Sequence, residues 1–227
     1  TQLKNFNKAS RVLLSGQGAG GIGLGFKIDN YLSQIKSAAP QALTKFSMDA
    51  SFFINIRPVI PGPLEYRILL EQGSDLWVTN FDDRCFNHLY DKTRPWQCLE
   101  YYYIADSLLL PQFSIENAQD DTTLSLLGCA QTPQSCVGLA WNITRSEMGF
   151  SGSVFIPSCQ GHNVIDTPQF FALKARSFTQ EITISLYDAF VAWYDDRQKS
   201  QFVSDTCYNI NCNPPCAASG KNTVKRG

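Results

Sequence analysis

The sequence has almost no net charge, no long hydrophobic run and little histidine. Its 19 basic and 20 acidic residues give a formal net charge of −1, so there is no electrostatic reason to expect nucleic acid or an anionic membrane as a partner. Apolar runs such as Ser107–Leu110 are far shorter than the roughly 20 residues of a transmembrane helix. With only His88 and His162 and no CxxC pair, we predict no metal site and no cofactor.

The chain does have the composition of a folded, disulfide-bonded protein. Its 227 residues, 44% of them hydrophobic and 17% charged, predict a single domain over 1–227 with a real core. All eight cysteines follow residue 84, and several crowd an irregular tail over 205–227: Cys85, Cys98, Cys129, Cys136, Cys159, Cys207, Cys212 and Cys216. An even count at these spacings favours disulfides and an oxidising compartment, secreted or lumenal. The sequon at Asn142 agrees with secretion.

The N-terminal residues lack the signal peptide that is expected of a secreted protein. Thr1 opens a polar stretch with no visible signal peptide, although a secreted protein needs one to enter the pathway. We therefore expect the chain to be incomplete at its N-terminus.

The first 40 residues predict a strand, a tight turn and a helix. Arg11–Ser15 is a short apolar run, typical of a central parallel strand, and the glycine-rich turn Gly16–Gly21 follows it. An apolar stripe with helical spacing then ends before Pro40; its members are Leu24, Ile28, Leu32 and Ile35. This stripe predicts one amphipathic helix.

Further elements follow from local patterns. We predict strands at Ser107–Gln112 and Ser153–Ile156, and a helix within Asn117–Leu127. A capping box from Ser177 to Gln180 precedes a predicted helix over 182–197. The tyrosines at 101–103 suit a half-buried strand edge better than a sugar-stacking surface.

The glycine turn has three interpretations. The spacing Gly16-x-Gly18-x-x-Gly21 is that of a dinucleotide-binding turn, but the expected acid is not clear, since Asp29 lies within the predicted helix and Asp49 comes late. The same turn also fits the nucleophile elbow GxSxG, with Gly18 in place of the serine. In the third interpretation the glycines only permit close packing of strand and helix, which is compatible with an elbow that has lost its serine.

Several ordered segments resemble the pectin acetylesterase and Notum family, whose members carry GxSAGG after a VLLx run. The matching segments are RVLLSGQGAGG from Arg11, Asp49–Phe53, Cys85–Cys98 with Trp96, Ser107–Gln119, Phe155–His162 and Asp205–Cys216. The resemblance implies an α/β-hydrolase fold: a mostly parallel sheet flanked by helices and stabilised by disulfides, of which this chain is the C-terminal part. We also expect a local Cys85–Cys98 disulfide and leave the other pairings open.

The same resemblance implies where the catalytic positions lie. In the hydrolase order of nucleophile, acid and histidine, they fall on Gly18, Glu116 and His162. The amide of Ala19 is the expected oxyanion donor, and the family's second donor comes from a loop upstream of the elbow strand. A glycine cannot act as the nucleophile.

These observations leave three hypotheses for the function. We favour a catalytically inactive homologue that acts outside the cell as a binding or structural protein, with other protein chains or extracellular glycans as partners. The first alternative is an active carboxylic-ester hydrolase whose serine is changed in this form. The second is dinucleotide binding at Gly16–Gly21.

Overall fold

The computed structural model describes residues 5–52, 66–76, 81, 83–129, 136–148, 152–177, 182–207, 209–210 and 212–219. The strands are β1 (Arg11–Gln17), β2 (Leu43–Asp49), β3 (Gln112–Ile115), β4 (Ser153–Ile156), β5 (Lys174–Ser177), β6 (Thr183–Ser185) and β7 (Phe202–Ser204). The helices are α1 (Ala19–Phe26), α2 (Ile28–Ala38), α3 (Tyr66–Leu76), α4 (Asp83–His88), α5 (Tyr101–Ser107), α6 (Asp121–Leu126), α7 (Val137–Met148), α8 (Gln169–Ala172), α9 (Leu186–Tyr194) and α10 (Pro214–Ser219). Short 3-10 helices span Phe6–Lys8 and Pro95–Leu99.

The seven described strands form one mixed, mostly parallel sheet in the order β1-β2-β3-β4-β7-β5-β6. The first five strands in this order, β1, β2, β3, β4 and β7, pair in parallel. Strand β5 pairs antiparallel with both of its neighbours, β7 and β6. The carboxyl ends of β1, β2, β3 and β4 therefore lie along one edge of the sheet. In open α/β sheets this is the edge at which ligands bind.

Helices cover both faces of the sheet, because consecutive side chains of a strand point to opposite faces. One core cluster joins Phe46 and Met48 of β2 to α2 and α5. The other packs Phe113 and Phe155, from β3 and β4, against Trp193 of α9. This arrangement confirms the predicted α/β class.

The eight cysteines form four disulfides, as the spacing predicted. The pairs are Cys85–Cys98, Cys129–Cys136, Cys159–Cys216 and Cys207–Cys212. The local Cys85–Cys98 bond is confirmed. The tail that we predicted to be irregular contains α10, which Cys159–Cys216 ties to the end of β4.

Some predicted elements differ from the structure. The predicted N-terminal helix is divided into α1 and α2 at Lys27, and the strand predicted at Ser107–Gln112 begins at Gln112, after Pro111. The tyrosines at 101–103 lie in α5, not on a strand edge.

The helix predicted over 182–197 is also shorter. Residues Thr183–Ser185 form β6, and Ser185, not Ser177, caps α9 by accepting a hydrogen bond from the amide of Asp188 at 3.0 Å. Gln180 of the predicted capping box and Phe53 of the Asp49–Phe53 segment lie outside the described residues. Within the described part of the chain, every helix is too short or too polar to cross a membrane.

Candidate active site

The turn between β1 and α1 has the backbone conformation of a nucleophile elbow. Gly18 has φ 52° and ψ −131°, and its N–H donates to the carbonyl oxygen of Asp49 at 2.9 Å. A side chain at positive φ costs strain, which is a known feature of elbow serines. Here glycine adopts the conformation without that cost.

The glycines around Gly18 allow β1 and α1 to approach closely. A Cβ atom on Gly16 would lie 2.5 Å from the Cα atom of Gly21, and a Cβ atom on Gly21 would overlap the side chain of Ser51. The structural interpretation of these glycines is therefore correct, and it is compatible with the elbow because both need the same close contact.

His162 faces the nucleophile position. It lies in the loop that follows β4, and a Cβ atom built on Gly18 would lie 3.0 Å from Nε2 of His162. The imidazole thus stands where a base would take the proton of an elbow serine. The residues that we predicted as nucleophile position and base come together.

The acid that orients His162 is Asp120, which corrects the prediction of Glu116. Oδ2 of Asp120 lies 2.7 Å from Nδ1 of His162, and Oδ1 accepts from the amide of Thr123 at 2.9 Å. Asp120 is the N-cap of α6, so the helix start fixes the carboxylate beneath the imidazole. The hydroxyl of Thr122 is 3.2 Å from the same Nδ1.

The residue that we predicted as an oxyanion donor lies at the start of α1. Ala19 is the first residue of α1, and the first N–H groups of a helix have no intrahelical acceptor. Ala19 is also exposed. Its amide directly follows Gly18, which is the position at which an elbow places an oxyanion donor.

Comparison with known proteins agrees with this geometry, although no family model matches the chain. The chain is 26% identical over 164 residues to the palmitoleoyl-protein carboxylesterase NOTUM of Drosophila melanogaster, covering 68% of this chain and 23% of the relative. It is 21% identical over 236 residues to palmitoleoyl-protein carboxylesterase notum1' of Xenopus laevis, covering 94% of this chain and 48% of the relative. The chain thus spans half or less of the length of these relatives.

A solved structure shows the same fold. The Wnt deacylase Notum from Drosophila superimposes with a TM-score of 0.78 at 23% identity, over 91% of this chain and 58% of that chain. A second crystal form of that protein gives the same TM-score. The chain is therefore similar to the Notum carboxylesterases in sequence and has the same α/β-hydrolase fold. The predicted resemblance and the predicted fold are thereby confirmed.

In this Notum-like chain, Glu116 is a buried neighbour of the site. It is 1% exposed, and Oε2 accepts from the amide of Phe52 at 3.3 Å. Burial, and then the charges of Asp120 and Asp49, raise the pKa of Glu116 well above its ordinary value. A carboxyl group in this position favours its neutral form.

Asp49 is the third buried carboxylate at this edge, where β2 ends. Burial raises its pKa, while hydrogen bonds from the amides of Ile165 and Val164 and from the side chain of Gln17 lower it. Burial also raises the pKa of Asp120, against the hydrogen bonds from Thr123 and His162. The site thus holds three buried carboxyl groups, and the charges of two of them, Asp120 and Asp49, raise the pKa of the third, Glu116.

The sequence did contain a signal for Asp120. Aspartate is a preferred N-cap residue, and Asp120 is followed by a second acid, Asp121, as is typical of the first turn of a helix. The capping residue of a helix that follows a parallel strand lies at the functional edge of the sheet. The helix predicted within Asn117–Leu127 begins at Asp121 in the structure, which makes Asp120 its cap.

The structure also places the predicted glycosylation sequon. Asn142 is exposed on α7, while Thr144 of the same sequon is 1% exposed. No group of three or more metal-ligating side chains that could hold an ion occurs among the described residues.

Proposed function

We propose that this chain is a catalytically silent Notum-like protein that acts outside the cell by binding an acylated partner without cleaving it. The observation that carries this proposal is Gly18. It occupies the elbow with the right backbone conformation, beside Nε2 of His162, but has no oxygen with which to attack an ester. Without a nucleophile no acyl-enzyme can form.

Neighbouring serines do not replace the missing hydroxyl. Ser15 lies three residues earlier on β1, where its hydroxyl pairs with that of Ser47 at 2.9 Å. The hydroxyl of Ser51 donates to the carbonyl oxygen of Asp49 at 3.0 Å. In the described part of the chain, no hydroxyl or thiol forms a hydrogen bond with Nε2 of His162.

The class of ligand comes from the relatives. They are named palmitoleoyl-protein carboxylesterases, and the solved structure is that of a Wnt deacylase. A scaffold of this kind that keeps the elbow, His162 and Asp120 retains surroundings suited to an acyl ester but cannot complete the reaction. Four disulfides agree with an extracellular location.

Two measurements test this proposal. A fluorophosphonate should leave the intact mass of the protein unchanged, and any covalent adduct at the site would show that a nucleophile is present. A palmitoleoylated serine peptide should bind more tightly than the same peptide without its acyl chain, measured by calorimetry. Equal affinities would refute an acyl-binding role.

A working esterase is the second candidate, and one observation favours it. The contact between His162 and Asp120 is kept at 2.7 Å, although a protein with no reaction to perform has no need of an oriented imidazole. Under this hypothesis, the replacement of the elbow serine by Gly18 is specific to this sequence. Hydrolysis of p-nitrophenyl acetate by the unchanged protein, abolished in His162→Ala, would establish it.

Dinucleotide binding has less support. The end of β2 is where such a fold places the acid that binds the ribose. Here Asp49 occupies that place, but it is 1% exposed and its Oδ2 accepts from the amides of Val164 and Ile165. Asp29 forms an ion pair with Arg84. His162 stands beside the turn that would hold the pyrophosphate.

A further inference from the structure

Asp49 forms hydrogen bonds with both the elbow at Gly18 and the loop that carries His162. Its backbone carbonyl oxygen accepts from the amide of Gly18 at 2.9 Å. Its side-chain Oδ2 accepts from the amides of Val164 and Ile165 at 2.9 and 2.7 Å. These two residues directly follow His162 and Asn163 in the chain, so a single residue contacts both the elbow and the loop that carries the imidazole.

The remaining contacts of this loop would not replace Asp49. The side chain of Asn117 donates to the carbonyl oxygen of Gly161 at 3.0 Å and holds the entry to the loop. At its exit, Gln17 links Asp49 and Asp166 through long hydrogen bonds of 3.3 Å to each. After His162, the segment is held by the two short hydrogen bonds that Val164 and Ile165 donate to the buried carboxylate of Asp49, together with the packing of Val164 in the core.

We infer that Asp49 is a positioning residue that fixes the distance between Gly18 and Nε2 of His162. Because its backbone is held in β2, the carboxylate presents a fixed acceptor to two consecutive amides. Removing that acceptor should loosen the loop at Val164 and Ile165 while leaving the elbow in place. The imidazole would then no longer be held in one orientation over Gly18.

This inference deepens the proposed function and rests on it for its biological meaning, but its test does not require ligand or activity. The chain has only two histidines, His88 and His162, so their ring nitrogens give a simple ¹⁵N spectrum in which His88 is an internal reference. In the unchanged protein, the contact of Nδ1 with Asp120 should hold His162 as the Nδ1–H tautomer.

The test compares Asp49→Ala with Asp205→Ala. Asp205 is a matched control, because its Oδ2 likewise accepts from a backbone amide, that of Ser158, and from the side chain of Asn213, both at 2.7 Å. In Asp49→Ala, amide hydrogen exchange at Val164 and Ile165 should accelerate by about 10-fold or more.

The same variant should give a mixture of tautomers at His162. Asp205→Ala should leave both the exchange at Val164 and Ile165 and the tautomer unchanged, even if it lowers global stability as much. A folded Asp49→Ala with parental exchange and a single parental tautomer would overturn the inference, whether or not an acylated peptide binds.

If Asp49→Ala does not fold, Asp49→Asn provides the same test. It keeps an oxygen for the two amides but removes the charge, and neutral acceptors form weaker hydrogen bonds. Exchange at Val164 and Ile165 should then rise a few-fold, with His88 unaffected. Unchanged exchange at both amides would count against the inference.

Discussion

Substituting Gly18→Ser should give this protein an esterase activity. The Cβ atom at this position would be 3.0 Å from Nε2 of His162, closer than such contacts usually are, so the ring must move by a few tenths of an ångström. It can do so, because the side chain of His162 is 37% exposed. The new hydroxyl would then complete a Ser–His–Asp triad with Asp120.

The size of the gain follows from the parts already present. Loss of the serine from a complete triad costs about 2 × 10⁶ in kcat, and a missing oxyanion donor costs about 10²–10³. Counting only the donor from Ala19, we expect kcat to rise about 10³-fold or more in Gly18→Ser. The strain of a serine at φ 52° should lower the free energy of unfolding by about 1–3 kcal/mol.

The assay is hydrolysis of p-nitrophenyl acetate, with denaturant unfolding to confirm that each variant folds. Gly20→Ser is the matched control, since its Cβ atom would meet nothing within 4 Å and its hydroxyl would lie in the same turn away from His162. The double variant Gly18→Ser with His162→Ala should lose the gained activity. A folded Gly18→Ser no faster than Gly20→Ser would refute this account of the site.

Three further outcomes are expected. Burial raises the pKa of Glu116, so the folded protein binds the proton of this carboxyl group more tightly than the unfolded chain does. The free energy of unfolding should therefore fall as the pH rises from the ordinary pKa of glutamate through the raised pKa of the folded state. Glu116→Gln should weaken this dependence and raise the free energy of unfolding at neutral pH. Denaturation at pH 5 and pH 8 measures it, and a difference between the two pH values equal to the parent's would contradict the assignment. Replacing Cys159 and Cys216 by serine removes a disulfide between residues 57 positions apart and should lower the free energy of unfolding by up to about 4 kcal/mol. A melting temperature equal to the parent's would show that the disulfide adds no stability. Protein secreted from eukaryotic cells should lose one glycan in Asn142→Gln, seen as a lower intact mass; an identical mass would mean that the sequon is not used.

The sequence predicted best those structural elements that depend on residues close together in the chain. The apolar run from Arg11 and the glycines after it predicted strand, elbow and helix, because only small residues allow β1 and α1 to approach so closely. Ser153–Ile156 is confirmed as a strand with the predicted bounds. The order of the motifs indicated the resemblance, and most of them lie at a strand end of the fold; the exception is Cys85–Cys98, which joins α4 to the 3-10 helix Pro95–Leu99.

Contacts between distant segments were harder to predict. Asp120 and Glu116 lie four residues apart, and both follow β3; which of them meets His162 depends on how the chain turns between the strand and α6. The role of Asp49 was likewise not visible, because its partners Val164 and Ile165 lie 115 and 116 residues away in the chain.

The sequence by itself was sufficient to predict that Gly18 occupies the centre of an elbow-like turn, that the cysteines pair, and that the fold is that of an α/β-hydrolase, because these predictions depend on residue identity and local spacing. Only the tertiary structure decided that Asp120 orients His162, that Glu116 is buried beside them, and that Asp49 joins the elbow to the histidine loop. Those assignments depend on the packing of parallel strands whose ends meet at one edge of the sheet, and the order of residues along the chain does not contain that information directly.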